Sequence, residues 1–309
     1  MKSSRALVAV LLAAQCTGCG AGCNPPTGRA QTPGAARIVS LAPSVTETLF
    51  ALGAGPQVVG VSSFCDYPAR VNSLPRVGSF LTPNIEQIIA LRPSLIIGLV
   101  IASNQRQIKA LQSMGFPVLL VGEETWGDIE RSIEQLGERT GHPREARALL
   151  AQIHSHFTSV KRRLADTSSP RVLMLVGHQP MVAVGSGSFL DELLKTAHAN
   201  NIAQLAGQEW PRLTMEFVVA TAPEVIIDGQ MGSDATAPDS FWARFVTIPA
   251  VRDHRVFGYD EDSTLRPGPR VWQSLETLAA MVHPEAPKPA PDSSPPKPEA
   301  APQSTGGDR

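Results

Sequence analysis

The chain has 309 residues, more than one hydrophobic core usually serves, and its length suggests about two domains. Its 27 basic and 28 acidic residues nearly cancel, so nothing in the charge balance points to nucleic acid as a partner. With 42% hydrophobic and 18% charged residues it can bury a large core, yet no apolar run reaches the roughly 18 residues a membrane-spanning helix needs.

At the start, Lys2 and Arg5 precede a short apolar run from Ala6 to Ala14, followed by small residues and cysteines. That is the pattern of a secretory signal. Lipoprotein signals place small residues just before a cysteine that receives the lipid. Thr17-Gly18-Cys19 fits best, so residues 1–18 are read as the signal and Cys19 as the lipidated residue. Cys16 stands where an aliphatic residue is usual, Cys23 is the second candidate, and an ordinary signal cleaved near Ala14 is the plainer alternative. Residues 19–36 then form a Pro/Gly tether. Three of the four cysteines crowd this region and Cys65 stands alone, which is not a disulfide framework.

Two stretches of the body match each other. Phe80 to Ile97 and Trp210 to Ile227 each carry an aromatic six before a glutamate (Glu86, Glu216), an alanine four after it and a proline seven after it. Three aliphatic residues follow soon after the proline. Each copy reads as loop, short helix, proline stop and buried strand. A strand at Arg37–Leu41 leads to a helix at Ser44–Leu52. A second strand at Arg171–Val176 leads through a short β segment, Met181–Val184, to a helix at Ser188–Ala197. Strand and helix alternate in both halves, predicting an α/β fold of two lobes, 37–125 and 169–283, with mainly parallel sheets. So long a period means duplicated lobes and not a solenoid.

Between them, residues 126–168 read as helical, broken near Gly141-His142-Pro143. Leu149, Ile153, Phe157, Val160 and Leu164 mark one apolar stripe on a helix of about 24 residues, roughly 36 Å long. Two lobes on a stiff connector enclose a cleft, and a cleft implies a ligand. Residues 284–309 carry eight prolines and almost no large apolar side chains, so they are expected to be a disordered tail.

Enzyme motifs are missing. Val184-Gly185-Ser186-Gly187-Ser188 lacks the nucleophile-elbow spacing, no phosphate-binding loop occurs, and the paired glycines lack the third that a dinucleotide site needs. The seven histidines show no metal spacing. His154 and His156 point to different sides of a helix. His178 follows a strand, where side chains line clefts, and is either a hydrogen-bonded loop residue or a ligand contact. Cys65 is either a packed thiol or the only candidate nucleophile. The expectation is no catalytic residue, no metal and no cofactor.

Arg37-Ile-Val-Ser-Leu-Ala-Pro-Ser-Val-Thr-Glu47, Val59-Gly-Val-Ser-Ser-Phe-Cys-Asp-Tyr-Pro68 and Asn84-Ile-Glu-Gln-Ile-Ile-Ala-Leu-Arg-Pro93 carry a resemblance. Over roughly 37–283 the chain resembles the substrate-binding proteins of ABC importers for iron chelates and vitamin B12, most nearly the cobalamin branch. The resemblance implies two Rossmann-like lobes joined by one long rigid helix, with ligand between them. It places Phe64, Phe80 and Trp210 against the ligand, with Phe64 where the cobalamin branch has Tyr and Phe80 where it has Trp. It matches Asp262-Ser263-Thr264-Leu265-Arg266 and Arg270 to a polar loop, and puts Leu99 where that branch has a further Trp. The second-lobe cysteine pair of the vitamin-binding protein is missing. Glu86 and Glu216 correspond to acids that dock on arginines of a permease dimer.

The physics of the aromatics agrees, since large rings on loops suit a flat, partly apolar ligand. The expected function is a monomeric, lipid-anchored periplasmic or cell-envelope receptor carrying cobalamin or another corrinoid to its permease. A haem or iron-siderophore receptor is the alternative, kept alive by His178 and Leu99, and a Cys65-based enzyme stands further off.

Overall fold

The computed structural model describes residues 36–178, 180–229, 241–259 and 266–287. In the first lobe β1 (Ile38–Ser40) leads to α1 (Pro43–Ala51), β2 (Val58–Val61), α2 (Ile85–Ala90), β3 (Leu95–Leu99), α3 (Gln105–Ser113) and β4 (Val118–Val121). The four strands are parallel in the order β2-β1-β3-β4. Next come α4 (Trp126–Thr140) and α5 (Pro143–Leu164).

The second lobe holds β5 (Arg171–His178), β6 (Met181–Ala183), α6 (Phe189–Thr196), β7 (Asn200–Asn201), α7 (Met215–Thr221), β8 (Val225–Gly229), α8 (Pro249–Arg252), β9 (Val256–Tyr259) and α9 (Val271–Val282). Its sheet runs β6-β5-β8-β9 with β7 beside β5, and only β6 is antiparallel.

Strand alternation explains the layers. Ile38 and Ile97 face a central core with α1, α4 and α5, whereas Val39 and Ile96 face an outer core with Ile88 and Leu111. In the second sheet Val172 and Met174 face the same central core, while Leu173 and Leu175 face outward to Trp242. Side chains of period two thus put one face of each sheet against a shared helical layer. That central core runs without interruption from one lobe to the other, through Ile153, Phe157 and Val160 of α5.

The helical segment holds two helices, α4 closed by Gly141 in the left-handed conformation and α5 opened by Pro143. α5 has 22 residues, slightly shorter than its stripe predicts. Its buried positions are Ala146, Leu150, Ile153, Phe157, Val160 and Leu164, so Leu150 takes the place expected of Leu149. It packs on α4, α6 and α9 and so contacts helices on both sides of the molecule.

The internal repeat holds in three dimensions. Asn84 and Thr214 cap α2 and α7 by accepting from the backbone N–H of Gln87 and Phe217. Arg92 and Ala222, each just before the stopping proline, share a φ of 46°. Ile38 pairs with Leu95 as Val172 pairs with Val225. Arg37 donates to the Leu91 carbonyl and Arg171 to that of Ala222, so the first arginine of each lobe closes the C-terminus of its short helix.

Candidate ligand-binding cleft

In open parallel sheets ligands bind beyond the carboxyl ends of the strands, where loops diverge. Here a cavity of about 370 Å³ lies at that edge. Leu99, Val100 and Ile101 line it from the end of β3, and Val121, Gly122, Glu123 and Glu124 from the end of β4. Asp128 adds a further wall, and the second lobe supplies Phe189, Glu209 and Trp210. The backbone N–H of Phe189 donates to the Glu124 carbonyl at 2.9 Å, so the lobes touch directly beside the cavity.

The loop carrying Glu209 and Trp210 is held as an extra strand would be. Ala183, Gly185 and Ser186 donate backbone N–H groups to the carbonyls of Pro211, Glu209 and Gln208 at 2.7–3.0 Å. Gly185 permits this approach, because a Cβ there would fall 1.9 Å from the Gln208 carbonyl oxygen. Trp210 is left 41% exposed and Phe64, after β2, 55% exposed, high values for aromatic side chains this large. Phe64 meets the edge of Phe80 with ring centroids 5.6 Å apart. Phe80 is tied towards the β3 end by its carbonyl, which accepts from Asn104 Nδ2 at 3.2 Å. Trp210 and Leu99 are therefore in the cavity wall, and the Phe64–Phe80 pair stands on the same sheet edge outside it.

Arg266 occupies a different place from a free rim residue. Its guanidinium donates to Glu47 Oε1 at 2.9 Å and Asp66 Oδ1 at 2.7 Å. Arg270 adds two bonds to Glu47 and lies over the Tyr67 ring at 4.2 Å. The matched arginines thus bind carboxylates of the first lobe, and they join the lobes rather than offering cations to the cleft. Burial would raise the Asp66 carboxyl, but the hydrogen bond and charge of Arg266, together with a backbone hydrogen bond and the charge of Arg270, hold it below its usual range. Asp262, Ser263, Thr264 and Leu265 lie outside the described residues, as does the His178 side chain, whose backbone ends β5.

Sequence reasoning passed over Glu123. It sits half-buried on the segment after β4, with its carboxyl against Ser44 and Glu47. Burial and the Glu47 carboxylate push that carboxyl up to about 8, against the lowering bond from Ser44. The available signal was an acid directly after the apolar run 118–122, at the carboxyl end of a parallel strand.

Cys65 is 2% exposed and packs against the hydroxyls of Thr46 and Ser62 at 3.1 and 3.2 Å, the packed thiol and not an accessible nucleophile. His154 bonds Glu130 and His156 stacks on Trp272, on different sides as predicted. No group of three or more His, Cys, Asp or Glu able to hold a metal occurs among the described residues. Glu86 and Glu216 are exposed in the first turns of α2 and α7.

A family model described as periplasmic binding protein matches residues 38–263. The chain belongs to that family. Among its relatives, a vitamin B12-binding protein of Pectobacterium atrosepticum is 28% identical over 251 residues, covering 80% of this chain and 88% of that protein. An uncharacterized ABC transporter substrate-binding lipoprotein of Bacillus subtilis is 32% identical over 259 residues, covering 81% and 80%.

Two solved structures bracket the ligand question. The apo periplasmic haem-binding protein of Roseiflexus sp. RS-1 is 28% identical with a TM-score of 0.72, covering 81% of this chain and 99% of that one. The periplasmic vitamin B12 binding protein of Vibrio cholerae is 26% identical with a TM-score of 0.68, covering 81% and 97%. The two-lobe α/β architecture is that of these periplasmic binding proteins, and the resemblance drawn from the motifs holds.

Proposed function

We propose that this chain is the substrate-binding component of an ABC importer that takes up cobalamin or a related corrinoid. The observation that carries the choice of ligand is the charge of the cleft. Among the described residues the cavity lining contains four acidic residues, Glu123, Glu124, Asp128 and Glu209, and no Lys or Arg, although Arg131 pairs with Asp128 from outside the lining. The nearby cations, Arg266 and Arg270, are engaged with Glu47 and Asp66. Haem propionates and the acidic groups of many ferric siderophores need basic partners, whereas a corrinoid presents neutral carboxamides around an apolar ring.

The cavity, open on one side, is smaller than a corrinoid. It receives one edge of the ligand, while Phe64, Phe80 and the exposed face of Trp210 cover the ring. Asp262, Ser263, Thr264 and Leu265 are assigned to the rim on the resemblance, and His178 on its place at the end of β5, where side chains line clefts. Ligand binding is the expected activity, with no catalysed reaction. Glu86 and Glu216 dock the two lobes on a permease dimer, and Cys19 anchors a monomeric receptor to the cell envelope through lipid.

The test is direct. The chain is incubated with cyanocobalamin, haemin or a ferric siderophore, desalted, and its visible spectrum recorded. Retention of the cobalamin spectrum at about one ligand per chain is expected. Retention of haemin alone, with a Soret band lost in His178→Ala, would replace this reading with the haem one.

A further inference from the structure

Of the four carboxyl groups around the cavity, Glu124 is exposed to solvent and Asp128 is bound by Thr125 and Arg131, whereas Glu123 and Glu209 lack a basic partner among the described residues. Glu123 comes from the first lobe. The groups around it are Ser44 and Glu47 of α1, the adjacent Glu124, and Asp128 and Glu209 across the cavity. Glu47 is itself neutralised by Arg266 and Arg270. Among the described residues no cation lines the cavity to hold Glu123 ionised. Glu209 comes from the second lobe, on the loop that Gly185 allows to pack so closely. Its Oε1 is shielded from solvent and has no hydrogen-bond partner, a state that disfavours a carboxylate unless something arrives to donate to it.

We propose that Glu123 and Glu209 together read a primary carboxamide of the ligand, Glu123 donating its carboxyl proton to the amide oxygen and Glu209 accepting from the amide nitrogen. A primary amide both accepts and donates and carries no charge. A carboxylate in the same place would face the Glu209 carboxylate, while an ammonium would leave the Glu123 proton without an acceptor. The raised Glu123 carboxyl, near 8, supports the assignment, because the group then keeps its proton at neutral pH. Ser44 hydrogen-bonds the same carboxyl from α1. The inference rests on the corrinoid reading above and makes it more specific. It assigns a side-chain carboxamide to the cavity and names the two residues that tell amide from acid.

The experiment titrates the full chain calorimetrically with cyanocobalamin and with its monocarboxylic acid derivatives, each carrying one hydrolysed side-chain amide. At pH 6.5 at least one derivative is expected to bind tenfold or more weakly than the parent. Glu209→Gln narrows that gap to less than threefold. For the wild type, cobalamin affinity holds steady up to about pH 7 and falls above pH 8 by up to about tenfold per unit as the donor is lost, while Glu123→Gln removes that fall. Equal binding of every derivative, or the same alkaline fall in Glu123→Gln as in the wild type, overturns the proposal and leaves the corrinoid reading standing. Binding of haemin with no corrinoid bound overturns both. The derivative series needs no variant, so poor folding of either mutant does not rescue the idea.

Discussion

Glu47 in the first lobe and Arg270 in the second form a bidentate ion pair, with Nε and Nη2 each 2.7 Å from a carboxylate oxygen. Arg266 binds the same carboxylate from another side, and Glu47 itself is only 3% exposed. One carboxylate between two guanidiniums is a favourable arrangement only because every group is answered, since desolvating charges costs several kcal/mol each. The contact lies beside the cleft and ties α1 to the start of α9. The two lobes are thereby fixed at a second point besides the shared helical core.

Glu47→Ala is therefore expected to lower stability by about 3–5 kcal/mol, because it takes from Arg270 the carboxylate it binds and from Arg266 one of its partners in a partly buried site. Glu47→Gln keeps the shape and loses less. Chemical denaturation of both variants measures the difference. A loss below about 1 kcal/mol for Glu47→Ala would reduce the clamp to a solvated surface pair.

Glu123 predicts a pH dependence of opposite sense to the usual acid. Its folded carboxyl titrates near 8, above the ordinary value of 4.5, so the folded state binds the proton more tightly. Stability is then full below about pH 4.5, declines as pH rises towards 8, and is flat beyond. Glu123→Gln, which mimics the protonated form, is expected to stabilise the unliganded chain by about 1–3 kcal/mol at pH 9 and by little at pH 5. Thermal melts across pH 5–9 check this, and equal shifts at both ends would exclude a raised carboxyl as the cause.

Much of this was readable from residues. The two repeats fix α2, β3, α7 and β8 because a capped start, a stopping proline and an aliphatic run are local signals, each acting within a few residues. The apolar stripe of α5 is equally local, and its one-position error at Leu149 reflects a tertiary choice between adjacent leucines. The clamp was not readable. Glu47 and Arg270 are distant in the chain, and nothing in either segment alone says that they meet. The resemblance placed Arg266 at the cleft rim, yet its partners come from the first lobe. Glu123 was missed because a carboxyl is unremarkable in sequence until its neighbours, Ser44 and Glu47, arrive from another element.

The exposed aromatics carry the next prediction. Trp210 is in the cavity wall and Phe64 pairs edge-on with Phe80. Trp210→Ala and Phe64→Ala are each expected to weaken corrinoid binding by about 1–3 kcal/mol, mostly through lost ring contact. Stability should change less than binding, since both side chains already face solvent in the unliganded chain. Calorimetry with cyanocobalamin at two salt concentrations gives the answer. An unchanged affinity in both variants would remove the ring-stacking surface from the site.

Membrane retention tests the anchor. Two or three acyl chains on Cys19 would hold the receptor stably where one would not. Cys19→Ala is expected to release the mature chain from the membrane fraction or to leave it unprocessed, and Cys23→Ala to leave it in place. Retention of both single variants would count against Cys19 as the lipidated residue.

The remaining prediction concerns Glu86 and Glu216. Each lies in the first turn of a short helix, where a carboxylate gains roughly 0.3–1 kcal/mol from the helix dipole. Backbone and Thr214 hydrogen bonds hold the Glu216 carboxyl below its usual range, so it stays ionised at neutral pH. The dipole explains an acid at either position. It does not explain two exposed acids at matching places in lobes that otherwise differ so much. A permease built from two like subunits requires two quasi-equivalent contacts, and a duplicated lobe provides them. Charge pairs across an interface can couple by ~1.5–7 kcal/mol and steer association even when solvated. Glu86→Ala with Glu216→Ala is expected to leave cyanocobalamin affinity within about twofold of wild type and to reduce uptake tenfold or more. Uptake is measured in cells that lack their own receptor and carry this chain with its permease, and the defect should be largest at low ionic strength, where steering is strongest. Normal uptake by the double variant would leave both acids as helix-start residues and no more.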